Sequence, residues 1–416
     1  MRKSRRSFLK AAAIGAAGAV TRTVQPARAA ATASSGEPST HRSYPSVSAV
    51  GDRVAPWIEV NPSAFRHNIE AISTYTNNRK VLAVLKCNAY GLDPATVASY
   101  IDSLPQLAGF AVTKMEEAYA VRASGARKPI LMLCDVAASD ALDLVRHNVA
   151  LSTDSVESRA RLKELARRAG QRVPVHIQID AGLGRLGVPV HEADEWVAGL
   201  IGDNSVAIQG IFCPLAEVVE RARAHLELFR SLVERLRKRG YDVGKAHAAS
   251  SHAIANLANS GLDMVRPGLM CHGSLPDGAS DNLIALTVAH RLRGRVTRVH
   301  RLEPGDGVGY SQKFIATTRV WTASIMCGWS DGYYFAPLRG SEVLIADRRY
   351  PVIGLTANTS VINLGTADTA PIQEGAIATL VGPEPGLRPN DLAAKTDGSE
   401  YNQIRYSAGL PKFIAT

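Results

Sequence analysis

Cysteine is scarce in this chain of 416 residues, and its spacing does not fit a metal site. No C-x-x-C pair occurs, so neither a structural zinc site nor a thiol redox motif is predicted, and we expect no metal. Buried free thiols are favoured in a chain with a large core, although an exported protein could form a disulfide. The five cysteines are Cys87, Cys134, Cys213, Cys271 and Cys327.

A long apolar run is also missing, and no acidic residue precedes residue 30. Residues 4–10, SRRSFLK, match a twin-arginine signature, and the apolar run at 11–20 and the A-x-A site at 27–29 complete a signal peptide over 1–29. A membrane anchor is the alternative, but the run falls far short of the ~20 residues that a span needs. We therefore expect export in the folded state to a periplasmic or secreted location, without stable membrane insertion.

The positive charge belongs mostly to this leader. The net charge is +10, and without the seven basic residues before Ala30 it is +3. That balance leaves no nucleic-acid footprint. The apolar fraction of 46% and charged fraction of 21% are ordinary for a globular protein, and the length is enough for two domains.

Three regions follow the leader. Residues 30–53 are rich in Ser, Ala, Thr and Pro and predict a flexible linker. Residues 54–284 alternate short apolar runs with helical patterns, which predicts a parallel (β/α)8 barrel, with its first strand open to assignment to either domain. Residues 285–416 carry short β-branched segments between Gly and Pro, which predicts a C-terminal, mostly β domain.

Lys86 is the first residue with chemical promise. It follows the apolar run at residues 81–85, and active sites of barrels lie at the carboxyl ends of their strands. An amine among apolar residues there would be desolvated and activated. A lysine that merely extends to solvent is the alternative from position alone.

The residues around Lys86 resemble the cofactor-lysine segment of alanine racemases, which are barrel-type pyridoxal-phosphate enzymes. Further blocks are similar to that family in the same order along the chain, from about residue 57 to 411. They are 57–60 (WIEV) with 64–68 (AFRHN), 84–91 (VLKCNAYG), 180–187 (DAGLGRLG), 247–251 (HAASS), 265–269 (VRPGL), 308–310 (VGY) and 328–333 (GWSDGY). The resemblance implies an amino-acid racemase that binds pyridoxal 5′-phosphate and works as a homodimer.

The resemblance also implies a role for particular residues. Lys86 would bind the cofactor through a Schiff base and act as one acid/base, and Tyr310 would be the opposite base, reaching into the partner's barrel. Arg266 would face the pyridine nitrogen, and because a guanidinium keeps its protons it would leave that nitrogen unprotonated. Arg185 would bind the substrate carboxylate, and Asn358 would lie near the substrate. The phosphate would be held by Tyr90, Ser251, Gly268, Leu269 and Tyr406; ordinary packing is the alternative for the two tyrosines.

The sequence departs from the family pattern at four places. Gln178 stands where many members carry a modified lysine, and its amide could still support Arg185. No histidine follows the strand ending near Phe212, so Phe212 or Leu215 would pack on the cofactor ring. Ala357 and Asn358 replace a Met-Asp pair, which would enlarge the pocket, and Trp329 stands where a gate tyrosine is common.

Alanine is therefore the expected substrate, with a broader range of basic or polar amino acids as the runner-up. A decarboxylase on the same fold is a second class, which Arg266 opposes because decarboxylation needs a protonated ring nitrogen. A cofactor-binding protein with little catalysis is a third, and the absent histidine is its best support.

Overall fold

The computed structural model describes residues 44–153, 155, 157–280, 282–333, 340–396 and 406–415. The predicted signal peptide and the first part of the predicted linker lie outside these residues. In the part of the chain described, no helix is both long and apolar enough to cross a membrane.

The first half of the chain alternates strands and helices. The strands are β1 (Trp57–Val60), β2 (Lys80–Val84), β3 (Leu107–Val112), β4 (Ile130–Met132), β5 (Val149–Thr153), β6 (Val173–Asp180), β7 (Val188–Pro189), β8 (Val206–Phe212), β9 (Lys245–His247) and β10 (Met264–Val265). The helices are α1 (Pro62–Tyr75), α2 (Lys86–Tyr90), α3 (Pro94–Ile101), α4 (Met115–Ala123), α5 (Ala138–Arg146), α6 (Ser158–Ala169), α7 (Ala193–Ile201), α8 (Val219–Lys238) and α9 (Ser251–Asn256).

Eight of these strands form a parallel barrel, as predicted. The order is β10-β2-β3-β4-β5-β6-β8-β9, and the short β7 pairs with β6. Backbone hydrogen bonds from Asp263 to Ala246 and from Arg266 to Ala249 join β10 to β9. Most residues of these strands are buried because helices cover the outside and side chains fill the inside, which is why their sequences read as apolar runs.

The second half is a mostly β domain, also as predicted. Its elements are β11 (His290–Leu302), β12 (Gly307–Val308), β13 (Phe314–Ile315), β14 (Val320–Ile325), β15 (Glu342–Ile345), β16 (Arg348–Leu355), β17 (Ser360–Gly365), β18 (Ile377–Val381), α10 (Pro389–Thr396) and β19 (Lys412–Ile414). The main sheet has the order β14-β17-β16-β15-β18-β11-β1-β19 and closes by pairing β14 with β11.

β1 belongs to this second sheet. It pairs antiparallel with β11 and parallel with β19, so the chain enters through the β domain before it builds the barrel. The linker prediction is wrong for the described residues 44–53. Val47–Val50 form a 3-10 helix, and Val50 is buried against Trp57 and Phe413, because these apolar side chains cover the end of the sheet.

Candidate active site

One cavity opens at the carboxyl ends of the barrel strands, where the fold places active sites. Its volume is about 170 Å³. Six of the residues selected from the sequence line it: Lys86, Tyr90, Arg185, Ser251, Arg266 and Gly268. They come from segments separated by up to 268 − 86 = 182 positions, so the barrel is what brings them together.

Lys86 is half-buried and begins α2, directly after β2. This segment is not a right-handed helix. Cys87, Asn88, Ala89 and Tyr90 have φ angles of 56°, 58°, 48° and 56°. A left-handed turn of non-glycine residues costs roughly 1–2 kcal/mol per residue, and such strain accumulates at functional sites.

This turn carries Tyr90 into the cavity wall. The Tyr90 side chain is buried and packs against Leu269. A Cβ atom on Gly268 would lie 2.1 Å from the Tyr90 hydroxyl, so only glycine allows the phenol to approach the backbone here.

Ser251 contacts the segment after β10 at the cavity wall. Its Oγ accepts hydrogen bonds from the backbone N–H groups of Gly268 at 3.1 Å and Met270 at 3.2 Å. Because both lone pairs of the hydroxyl are then used, its proton is available to donate to an anion in the cavity.

Arg266 is buried at the base of the cavity. Its Nη2 donates to the carbonyls of Cys213 at 3.4 Å and Ala248 at 3.3 Å, and its guanidinium lies 5.4 Å from the centre of the Phe212 ring. Burial, with the nearby Arg185, lowers its pKa to about 10, so it stays protonated at neutral pH.

Two histidines that sequence reasoning missed form a hydrogen-bonded chain with Arg266. The Arg266 Nε donates to His247 Nδ1 at 3.2 Å, and His247 Nε2 lies 3.0 Å from His176 Nδ1. Burial lowers the pKa of His247 well below its usual value and that of His176 to about 4, with Arg266 adding to both shifts. The only available signal was that His247 begins one of the family-like blocks, residues 247–251.

For Phe212, packing on the cofactor ring stays a prediction. It lines the cavity, and its ring stacks on His247 with a centroid distance of 5.1 Å and an angle of 10°. Gln178 also lines the cavity. Its Nε2 donates to the carbonyl of Leu186 at 2.9 Å, while its buried Oε1 has no hydrogen-bond partner among the described residues.

Four selected residues do not line this cavity within one chain. Leu269 is fully buried behind Tyr90, and Tyr406 is buried with its hydroxyl 2.8 Å from His290 Nε2. Asn358 is exposed in the β domain and donates to Ser330 Oγ at 3.2 Å. Tyr310 follows β12 and is 99% exposed.

The residues of the cavity fit pyridoxal phosphate. The Lys86 amine would react with the cofactor's aldehyde, and the buried Arg266 cation would face its ring nitrogen. The Ser251 hydroxyl would donate to the phosphate, and the exposed Arg185 cation would bind a substrate carboxylate. The orphaned Gln178 Oε1 is a further polar atom that a bound group or Arg185 would satisfy.

Comparisons with known proteins agree with this chemistry. The family profiles described as "Alanine racemase, N-terminal domain" and "Alanine racemase, C-terminal domain" match residues 60–276 and 289–408. The alanine racemase of Geobacter sp. strain M21 is 30% identical over 338 residues, which cover 79% of this chain and 89% of that relative. The alanine racemase of Geobacter sulfurreducens is 32% identical over 304 residues, covering 71% of this chain and 79% of the relative.

Solved structures show the same fold. The biosynthetic alanine racemase of Pseudomonas aeruginosa superposes with a TM-score of 0.76 at 26% identity and covers 88% of this chain and 100% of its own. The alanine racemase of the D-cycloserine producer Streptomyces lavendulae gives 0.79 at 23% identity, covering 88% and 98%.

Proposed function

Since the chain belongs to the alanine racemase family, we propose that it interconverts L- and D-alanine with pyridoxal 5′-phosphate bound at Lys86. The observation that carries the proposal is the single cavity in which Lys86, Arg266, Ser251 and Arg185 meet at the carboxyl ends of the barrel strands. The family is pyridoxal-phosphate dependent, and the residues that this chemistry needs are present.

When bound, the cofactor supplies an electron sink for the α-carbon of the amino acid. Ser251, Tyr90 and the backbone at Gly268 and Leu269 would hold its phosphate. Arg266 would donate to the ring nitrogen and, because it keeps its proton at neutral pH, would leave that nitrogen unprotonated. This arrangement favours proton return to the α-carbon over side reactions such as transamination and over decarboxylation.

Racemisation needs a proton carrier on each face of the α-carbon. The Lys86 amine holds or returns the proton on one face. As the family resemblance implies, we assign the other face to Tyr310 of the partner subunit in a homodimer. Arg185 orients the substrate by its carboxylate, and Gln178 supports Arg185 in place of the family's modified lysine.

The test is cofactor binding and product chirality. Wild-type protein loaded with cofactor should show visible absorbance of the lysine-bound group and convert either alanine enantiomer to a racemic mixture. Lys86→Ala should lose both, whereas Lys80→Ala, at the exposed opposite end of β2, should lose neither. Release of carbon dioxide would indicate a decarboxylase, and binding without turnover would leave only a cofactor-binding protein.

Broader substrate specificity is a second candidate. Ala357 and Asn358 lie in the exposed loop that packs on the 3-10 helix Trp329–Asp331, and small side chains there leave room beside the substrate. A panel of L-amino acids followed by chiral analysis separates the two: turnover of lysine or arginine comparable to that of alanine would establish the broader enzyme.

The place of action follows from the leader. We propose that the twin-arginine signature at residues 4–10 directs the folded, cofactor-loaded protein to the periplasm or beyond. The support is the sequence alone, since this segment lies outside the described residues.

A further inference from the structure

Glu117 is a buried carboxylate at the mouth of the barrel that none of the steps above uses. It lies in the first turn of α4 and is 5% exposed. Its Oε2 accepts hydrogen bonds from the backbone N–H groups of Thr113 at 2.9 Å and Lys114 at 3.1 Å, which cap the helix. Its Oε1 crosses to a different segment and accepts the N–H of Asn88 at 2.9 Å.

Asn88 is the second residue of the left-handed turn that follows Lys86. That turn is unfavourable by itself, because L-residues avoid positive φ. Inside the turn, Ala89 N–H donates to Leu85 and Gly91 N–H donates to Cys87 and Asn88. The N–H of Asn88 instead finds its acceptor outside the turn, at Glu117, so a charged hydrogen bond ties the turn to the barrel wall.

We propose that Glu117 is a positioning residue for the cofactor lysine: by accepting the Asn88 N–H, it fixes the turn that sets where the Lys86 amine and the Tyr90 hydroxyl lie. The inference deepens the proposed function and rests on it. Glu117 does not reach the reacting atoms; it acts through the backbone on two residues that do.

The number of donors explains why the position needs a carboxylate. Three backbone N–H groups and the Thr113 hydroxyl, whose oxygen is 3.3 Å from Oε2, converge on its two oxygens. A glutamine has only one oxygen, and its NH2 group would repel the donors that it faces. Two backbone donors converge on Oε2 and one on Oε1, so the amide oxygen would stay at the helix cap and the Asn88 contact would be lost.

The experiment compares Glu117→Gln with two matched controls. Glu116→Gln makes the same change at the exposed neighbouring residue. Asp203→Asn alters another buried carboxylate that accepts a backbone N–H, from Ser205 at 3.0 Å, at the opposite end of the barrel before β8. Three quantities are measured: cofactor affinity of the apo-protein from visible absorbance, kinetics with alanine, and amide hydrogen exchange of the peptide spanning residues 86–91.

Glu117→Gln should weaken cofactor binding roughly tenfold and lower kcat by a similar factor, as expected for the loss of one charge-assisted hydrogen bond. The KM for alanine should change less than twofold, since Arg185 is untouched, and exchange in the 86–91 peptide should accelerate. Glu116→Gln should match the wild type. Asp203→Asn should lower stability but leave affinity, kcat and exchange at 86–91 unchanged.

Glu117→Asp serves as a second variant in case the first does not fold. Aspartate can still cap α4 but is one methylene too short to reach Asn88 as well, so cofactor affinity should again fall. Wild-type affinity, kcat and exchange in the Glu117 variants, or losses equalled by Asp203→Asn, would overturn the inference. A wild type that takes up no cofactor would overturn the function itself, and the exchange measurement would still decide whether Glu117 holds the turn.

Discussion

The buried guanidinium of Arg266 fixes the protonation of the groups behind it. Arginine can only donate, so His247 Nδ1 must accept from Arg266 Nε and carries no proton. His247 Nε2 then holds the single proton of a neutral imidazole and donates to His176 Nδ1. The lowered pKa values of both histidines agree with this neutral chain, which keeps the only charge of the group on Arg266, where the ring nitrogen would lie.

Gln178 stands where the family pattern has a modified lysine, and it offers a neutral amide in place of that group. Its amide is oriented by the hydrogen bond to Leu186, which leaves Oε1 as an acceptor in the cavity that Arg185 also lines. A neutral acceptor holds a guanidinium less strongly than an anion would, because charge-assisted hydrogen bonds are roughly twice as strong.

Gln178→Ala tests this role. Without this acceptor, nothing at position 178 could orient the Arg185 guanidinium toward a substrate carboxylate, and the KM for alanine should rise roughly three- to tenfold, as expected for one hydrogen bond to a charged group. The visible absorbance of the lysine-bound cofactor should remain. Gln209→Ala, at an exposed position of β8, is the control. Steady-state kinetics with an unchanged KM in Gln178→Ala would show that Arg185 needs no support.

At the level of the elements, apolar runs predicted the barrel strands well because most residues of these strands are buried. The site residues at strand ends followed from the same logic, as with Lys86 after β2 and Arg266 after β10. Pairing partners were harder to predict: nothing in the four residues of β1 states that they bind β11 and β19, more than 200 positions away. The left-handed turn after Lys86 was also missed, since its cost is offset by a tertiary contact to Glu117 that no local pattern records.

Buried histidines gather where the barrel meets the β domain. His272, in the 3-10 helix Leu269–His272, packs edge-on against Tyr90 with a centroid distance of 4.6 Å, and His290 begins β11. Burial lowers the pKa of each to about 3, with His290 adding to the shift of His272. Neither ring nitrogen of His272 has a hydrogen-bond partner in the described part of the chain.

These histidines should make the fold acid-sensitive. Their folded pKa values lie below the unfolded value of about 6.5, so the unfolded state binds the extra protons and stability falls as pH drops below about 6.5. Each histidine contributes a slope of up to about 1.4 kcal/mol per pH unit between that value and its folded pKa. Urea unfolding of the apo-protein at pH 7.5, 6.0 and 5.0 measures the total.

His272→Phe isolates one contribution. Phenylalanine preserves the ring contacts to Tyr90 and Phe65, and no hydrogen bond among the described residues is lost. The variant should be at least as stable as the wild type at pH 7.5 and should show a shallower loss toward pH 5, because one titrating group is gone. His252→Phe, at a half-buried position in α9, is the control. Identical pH slopes in His272→Phe and wild type would contradict the assignment.

The proposed targeting segment holds most of the chain's positive charge, and the net charge without it is only +3. Replacing both Arg5 and Arg6 with lysine retains that charge while removing the paired guanidinium groups. The double variant should remain in the cytoplasm, with racemase activity there and little in the periplasmic fraction. Arg22→Lys with Arg28→Lys, later in the same leader, is the matched control. An unchanged periplasmic fraction in the first variant would remove the argument from the leader.

The exposure of Tyr310 bears on the proposed homodimer. Its side chain is 99% exposed on a Gly-rich turn, and Ile315 and Trp329 on the same domain are 47% and 52% exposed. A single chain thus presents aromatic and apolar groups to water. In the proposed head-to-tail dimer, each copy would supply Tyr310 to the other's barrel.

Tyr310→Phe and mixed dimers test this arrangement. Phenylalanine keeps the ring and removes the proton carrier, so racemisation should fall strongly in both directions, since each direction needs both bases. Solvent exchange of the α-proton should persist only for the enantiomer whose proton faces Lys86. Tyr310→Phe and Lys86→Ala subunits are each inactive alone, but a dimer containing one of each has one complete site, because one barrel receives an intact Lys86 and the partner's intact Tyr310. Such dimers should regain up to half the wild-type turnover per dimer. Proven mixed dimers without recovered activity, or wild-type turnover by Tyr310→Phe alone, would show that Tyr310 is not supplied across a subunit interface.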